Sequence, residues 1–451
     1  MKRAWHIAAR NLLRSRRRNL ATGIAVALGY AALLIVGGYV TRVDAYLRTS
    51  TVYLQHLGHI GVFKRGGLEQ FLIKPSAYSL PGEHQRLIIE ELSKDPAVDM
   101  FGRSLLGAGL VGNGCRTLPF IGFGIDLDLE HKVRAHPEVK LHAWELSRPT
   151  RGESLMDARD VSGPVTLGES LARRLGKPRV HDEAPVAGTE AIDCTAKDAA
   201  EKIASDANVQ LATAAFDGSF AAVDGEVVGH FSTGMLATDG QTLWTSLDTL
   251  QKLYDTDAVT SFAVFLKDPT KVDRYAESLR ARLGAKGLDV EVFTFQDEKL
   301  NPYYVGTVKF LFVMAGFILT IVISVVTLSI LNSMTITILE RTRELGTLRS
   351  LGFTKHQVTG LLVREGIVLT VIAELVGLVL GFIVATVVRM ANVRFQPPAV
   401  ARPIQLLFTP TLELGLVLAV GILILSGFAT YLATRRRVGL GIVELNTAVT
   451  G

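Results

Sequence analysis

From Phe310 to Leu339 the chain runs without one charged residue, and three further runs are nearly as apolar. Asn19 to Thr41 and Leu414 to Thr434 carry no charge, and Gly366 to Val388 carries only Glu374. About 20 apolar residues suffice to cross a bilayer as a helix, the conformation that satisfies its own backbone hydrogen bonds in hydrocarbon. Buried helices of a soluble protein are the competing reading, and uncharged runs above ~18 residues argue against it. The chain therefore reads as an integral membrane α-helical protein with four transmembrane helices, over residues 19–42, 307–339, 366–390 and 412–434. Charged residues still make up 20% of it, so a substantial water-exposed part accompanies the spans.

The basic residues orient the spans. Lys2, Arg3, Arg10, Arg14, Arg16, Arg17 and Arg18 precede the first. Arg341, Arg343, Arg349, Lys355 and Arg364 lie between the second and third, and Arg435, Arg436 and Arg437 follow the fourth. All three clusters fall on one side, which the positive-inside rule makes the cytoplasm. Both termini are then cytoplasmic, and residues 43–306 form a large α/β extracytoplasmic domain inserted between helices one and two. The first run is too long for the apolar core of a cleaved signal peptide and reads as a retained span. Residues 1–18 place apolar and basic side chains on separate helical faces, as in a helix lying on the inner membrane surface. Topology accounts for the net charge of +5, and no nucleic-acid partner is needed.

Within the outer region helices are expected over Glu83–Lys94, Glu169–Leu175, Leu247–Tyr254 and Val272–Leu283. Strands are expected over Thr117–Ile125, Pro164–Leu167, Val259–Leu266 and Leu288–Phe295. Asp217-Gly218 and Asp224-Gly225 are turn pairs between short apolar strands. The polar stretch 177–207 is a flexible insertion or a connection between two lobes. Cys115 and Cys194, the only two cysteines, both lie outside the membrane, where an oxidising compartment permits a disulfide; two free thiols are the alternative.

Catalytic constellations are not found. Gly168-Glu169-Ser170-Leu171-Ala172 falls one glycine short of a nucleophile elbow, and reads as the first turn of an amphipathic helix. His131, His136 and His142 lack metal-ligand spacing and are interrupted by Pro137. No phosphate-cradling G-x-x-x-x-G-K-[ST] loop occurs, so if ATP and Mg are involved another polypeptide binds them. The chain reads as no enzyme, with no cofactor of its own. Glu374 is a carboxylate deep in a span, followed at four-residue steps by Gly377 and Gly381, a face that permits close helix approach. A proton relay is the sharp reading of Glu374, and structural hydrogen bonding or a place near the aqueous interface is the plain one.

Between spans two and three lies Glu340-Arg341-Thr342-Arg343-Glu344-Leu345-Gly346-Thr347-Leu348-Arg349-Ser350-Leu351-Gly352. Leu345, Leu348 and Leu351 are expected along one side of a short helix, ringed by Arg341, Arg343, Glu344 and Arg349. Gly352 can adopt positive φ and end that helix. Thr354, with Gln357 three residues on, restarts the next with a capping box. A solvated charged turn is the alternative, but the tight stop and immediate restart favour a helix of fixed orientation that docks another protein.

This segment resembles the E-R-x-R-E-[IL]-G-x-[LM]-[RK]-[AS]-[LIM]-G signature of MacB/FtsX-type ABC transporter permeases, a group that includes the lipoprotein-releasing LolC/LolE branch. Ile7-Ala8-Ala9-Arg10-Asn11-Leu12-Leu13-Arg14 is similar to the family's opening. Val165 to Gly176 and Val227 to Gly234 resemble segments of its periplasmic core domain, and the Pro397-Pro398 loop resembles the lipoprotein-release branch. The end of the chain, Arg435 to Asn446, departs from the family's proline-containing tail.

The resemblance implies a permease of the mechanotransmission type. Two copies of an ABC ATPase subunit would press on residues 340–365, and a second permease copy or a paralogue would supply the other coupling helix. Cargo would be a lipoprotein or another amphipathic molecule released outward, with a periplasmic adaptor or carrier as a further partner. The alternative is an FtsX-like or sensor-type regulator that transmits ATPase motion to an extracytoplasmic partner without transport.

Overall fold

The computed structural model describes residues 16–183, 193–396 and 403–438. Residues 1–15 of the expected interfacial helix, the Pro397-Pro398 segment and residues 439–451 of the tail lie outside them. The chain divides into two compact units. One comprises the long helices and the other Ala45–Thr307 together with Phe395–Ile404.

Helix α1 (Arg16–Thr49) runs on through a π-turn at Ser50–Leu54. Its 34 residues correspond to about 50 Å, well beyond the ~30 Å hydrocarbon core. It passes the end expected at residue 42 because Arg42 to Thr49 contains neither Gly nor Pro to stop it.

In chain order the second unit contains β1 (Ile60–Lys64), α2 (Gly82–Ser93), β2 (Val98–Gly112), β3 (Thr117–Ile125) and α3 (Leu127–Ala135). There follow β4 (Arg151–Gly152), β5 (Pro164–Gly168), α4 (Glu169–Leu175), β6 (Asn208–Ala214) and β7 (Phe220–Phe231). It ends with β8 (Thr242–Ser246), α5 (Leu247–Tyr254), β9 (Ser261–Leu266), α6 (Val272–Ala285) and β10 (Val290–Thr294). Where the sequence suggested two lobes, one ten-stranded mixed sheet runs through the unit in the order β10-β1-β9-β2-β3-β8-β5-β7-β4, with β6 joined to β2 and β7. The expected helices and strands are present within a few residues of their expected ends. The turn at Asp217-Gly218 forms, but Asp224 and Gly225 sit inside β7, paired with Gln210 and Val209. The tertiary demand for a long strand there overrides the local turn signal. β1, β2, β4 and β8 carry no clear local signal and are not expected from the sequence.

Ile60, Val62, Phe262 and Val264, on neighbouring strands, are fully buried in the sheet's core. Two ionisable groups share that interior. His59, 3% exposed, accepts the Leu266 N–H at Nδ1 (3.0 Å). Burial, reinforced by Arg48 and His136, pushes its imidazole down from 6.5 to about 4. Glu130 meets His56 Nε2 at 2.7 Å and pairs with Arg134. Burial opposes its charge, but the Arg134 guanidinium and the hydrogen bond with the His56 ring hold the carboxyl down at about 2.

The helical unit continues with α7 (Pro302–Glu340), α8 (Thr342–Ser350), α9 (Lys355–Met390) and α10 (Leu412–Val438). With α1, helices α7, α9 and α10 are long and apolar enough to cross a membrane. Val26, Tyr30, Leu33 and Leu34 of α1 pack with Val326, Ile330 and Met334 of α7, Leu369 and Ala373 of α9, and Ile422 and Ala429 of α10. Phe310, Phe312, Val313 and Phe317 of α7 point outward, the surface a lipid-facing helix requires. Polar cross-links supplement the apolar packing. Tyr30 donates to the Gly415 carbonyl (2.9 Å), and the Thr370 and Ser426 hydroxyls meet at 2.6 Å.

Candidate coupling site

Helix α8 is bounded by two different kinds of break. At its start, Arg341 leaves helical geometry for one residue (φ −104°, ψ 14°) between α7 and α8. At its end, Gly352 adopts φ +97°. The Gly352 and Phe353 N–H groups donate to the Arg349 and Leu348 carbonyls, each at 3.1 Å. That satisfies orphan carbonyls of the last turn. Thr354 then caps α9: its hydroxyl accepts the Gln357 N–H (3.3 Å), and Gln357 Oε1 accepts the Thr354 N–H (2.9 Å). The capping box read from the sequence is therefore formed.

The three leucines do not share a face. Leu345, 1% exposed, packs inward with Ile338 of α7 and Val358 and Leu362 of α9, and Leu348 lies half-buried against this cluster. Leu351, 74% exposed, lies outside. At about 100° per residue, six positions rotate a side chain by roughly a third of a turn away, and Leu351 is already past the end of α8. The outward surface consists instead of Arg343, Thr347, Ser350, Leu351 and Phe353, joined by Glu340 at the end of α7. Gly346 is buried.

An acidic residue that the sequence reading passed over joins the site. Arg341 Nη1 contacts both oxygens of Glu365, at 2.9 and 3.2 Å, while its Nε donates to Glu344 Oε2 at 2.9 Å. The Glu365 side chain is only 4% exposed. Its signal in the sequence was faint: one carboxylate next to Arg364, at the edge of an apolar run and 24 residues from its partner.

The other singled-out residues lie elsewhere. Glu374 is buried in α9 and its Oε1 has no hydrogen-bond partner among the described residues. Gly377 and Gly381 face α1, where they approach Ala27 and Leu34. Cys115, in the turn between β2 and β3, forms a disulfide with Cys194, with Cα atoms 5.4 Å apart. Ser170 opens α4 with its N–H on Asp239 Oδ2 (2.7 Å). His136 stacks on Tyr53 and accepts from the Glu138 N–H. Among the described residues no three His, Cys, Asp or Glu side chains converge as a metal site.

No curated protein sequence matches the chain. Solved structures that do match include the extracellular domain of the noncanonical ABC-type transporter YknZ from Gram-positive bacteria, at 13% identity and a TM-score of 0.30, over 52% of this chain and 99% of that one. Others are the periplasmic region of MacB from Actinobacillus actinomycetemcomitans (13%, TM-score 0.31, 53% and 91%) and a domain of a permease protein from Porphyromonas gingivalis (12%, TM-score 0.24, 52% and 88%). Residues 316–439, just over a quarter of the chain, match the family of FtsX-like permease C-terminal domains. That stretch runs from within α7 through α8 and α9 to the end of α10, so α8 and most of the two helices that flank it lie inside the segment similar to FtsX-like permeases.

Proposed function

We propose that this chain is the membrane permease of an ABC transporter that works by mechanotransmission. The observation that carries the reading is α8: a short helix fixed between two long apolar helices, inside the segment that matches FtsX-like permeases. A separate ATPase subunit, present in two copies with ATP and Mg, docks on its outward surface, and a second permease copy or paralogue completes the assembly. The chain lies in a bacterial inner membrane with α8 on the cytoplasmic side and the ten-stranded unit outside. The Cys115–Cys194 disulfide supports that side for the outer unit, since structural disulfides persist in oxidising compartments.

The cargo of this reading is a lipoprotein or another amphipathic molecule. Lifting acyl chains out of a bilayer costs about 0.8 kcal/mol per CH₂, a reason to couple the step to ATP hydrolysis. The spans offer almost no charged lining for an ion. The experiment is isolation of the complex from native membranes in mild detergent, followed by identification of what copurifies. A Walker-motif ATPase together with acylated protein supports transport. An ATPase with a wall hydrolase or sensor, and no acylated cargo, replaces it with the regulatory reading. No ATPase at all overturns both.

A further inference from the structure

Helix α8 is held to α9 at three points. Its C-terminal end is joined by the Gly352 turn and the Thr354–Gln357 capping box. Its middle is held by Leu345 on Val358 and Leu362. Its N-terminal end is held by the Arg341–Glu365 pair, in which one guanidinium nitrogen reaches both carboxylate oxygens from the residue that breaks α7 from α8. Toward α7 the connection is that single non-helical residue, with the Arg341 N–H on the Thr337 carbonyl (3.2 Å), the Thr342 hydroxyl on that of Ile338 (2.9 Å) and Leu345 packed on Ile338. A one-residue break can bend. The Arg341 guanidinium ties this one to α9, and Glu344 braces the guanidinium from within α8 (2.9 Å).

We propose that Glu365 is a positioning residue that makes α8 and the cytoplasmic end of α9 one rigid body, so that a push on α8 enters the bundle through the third span instead of being absorbed at Arg341. The proposal rests on the reading of α8 as the docking helix. It adds the path by which force leaves it. Few carboxylates are as enclosed as Glu365, and a buried carboxylate persists where it is paired and its geometry is specific. Gly366, the next residue, lies against the Thr430 side chain of α10, and Thr370, one turn on, bonds Ser426 of α10. The rigid body therefore delivers its motion to a tightly packed helix pair.

The test uses the full chain in lipid nanodiscs, with nitroxides on cysteines introduced at Thr347 of α8 and Ile372 of α9, both exposed. The sequence's two native cysteines are bridged to each other, so labelling is confined to the new sites. A narrow distance distribution is expected for the parent. Glu365→Gln and Arg341→Gln should each broaden it at least twofold, and the double variant should be no broader than either single one, with the thermal transition of the outer unit unmoved. Arg341→Gln alone decides if Glu365→Gln fails to insert. Distributions as narrow as the parent's, or single broadenings that add in the double variant, overturn the proposal. The measurement needs no ATPase. Failure of α8 to bind an ATPase would refute the docking reading and leave these distances unchanged.

Discussion

A β-carbon on Gly377 of α9 would sit 2.5 Å from the carbonyl oxygen of Ala27 in α1. The two helices approach backbone to backbone there, which only a residue without a side chain permits. Gly377→Val should force α1 and α9 apart and destabilise the helical unit by about 1–3 kcal/mol or more, the usual cost of overpacking. Gly360→Val, at a position of α9 with no neighbouring atom within 4 Å, is the control and should be tolerated. Protease resistance in detergent separates the two; equal resistance of both variants would contradict the close approach.

Leu345 and Leu351 lie on different surfaces, so charges placed on them should act differently. Leu345→Asp buries an unpaired carboxylate in the elbow core and should cost on the order of 3 kcal/mol, loosening α8 itself. Leu351→Asp leaves the fold intact and should weaken copurification of an ATPase subunit at least tenfold. A Leu351 variant that binds the ATPase normally removes this surface from the docking face.

Cys115 and Cys194 close a loop of 79 residues in sequence separation. Chain-entropy arguments place the stabilisation at ~4.5 kcal/mol, with typical measured values of about 2–4. Reducing the bridge, or Cys115→Ser, should lower the thermal transition of the outer unit and expose the 193–205 segment to protease first. An unchanged transition after complete reduction would show that the bridge adds no stability.

Acid should weaken the outer unit in two stages. His59 titrates near 6.5 when unfolded and near 4 when folded, so between those values only the unfolded chain takes up the proton. Its contribution is full above about pH 6.5 and is lost as the pH falls through 4, on the order of 3 kcal/mol in total. Glu130 acts in the same direction lower down, because its carboxyl must be protonated between 4.5 and about 2. Trp244 packs on Phe123 and near His56 in this unit, so its fluorescence can follow melting. A melting temperature that stays level from pH 6.5 to 4 would refute the His59 assignment.

Photo-crosslinkers at Thr41 and Tyr303 test the cargo. Both side chains are exposed, Thr41 about two turns before the end of α1 and Tyr303 in the first turn of α7, whereas the neighbouring Val40 and Tyr304 are buried. Acylated protein should be captured without nucleotide and lost with a non-hydrolysable analogue. Capture that ignores nucleotide would argue against coupled release.

The long helices and the stop and restart around Gly352 were legible from the residues alone, because their causes are local. An uncharged run in hydrocarbon has to close its backbone hydrogen bonds within itself, and Gly352, Thr354 and Gln357 act over three or four residues. The start and end of β3 and α5 were readable for the same reason. Asp224-Gly225 shows the limit: a sound local turn signal was overruled because β6 pairs with β7 at that point and β5 pairs with it from Glu226 onward. The orientation of α8 was likewise settled by what it packs against, which drew Leu345 inward and left Leu351 outside. Glu365 meets Arg341, and Cys115 meets Cys194, across 24 and 79 residues. No residue between them records those meetings, because a pairing of that range is created only when helices and strands take their places in space.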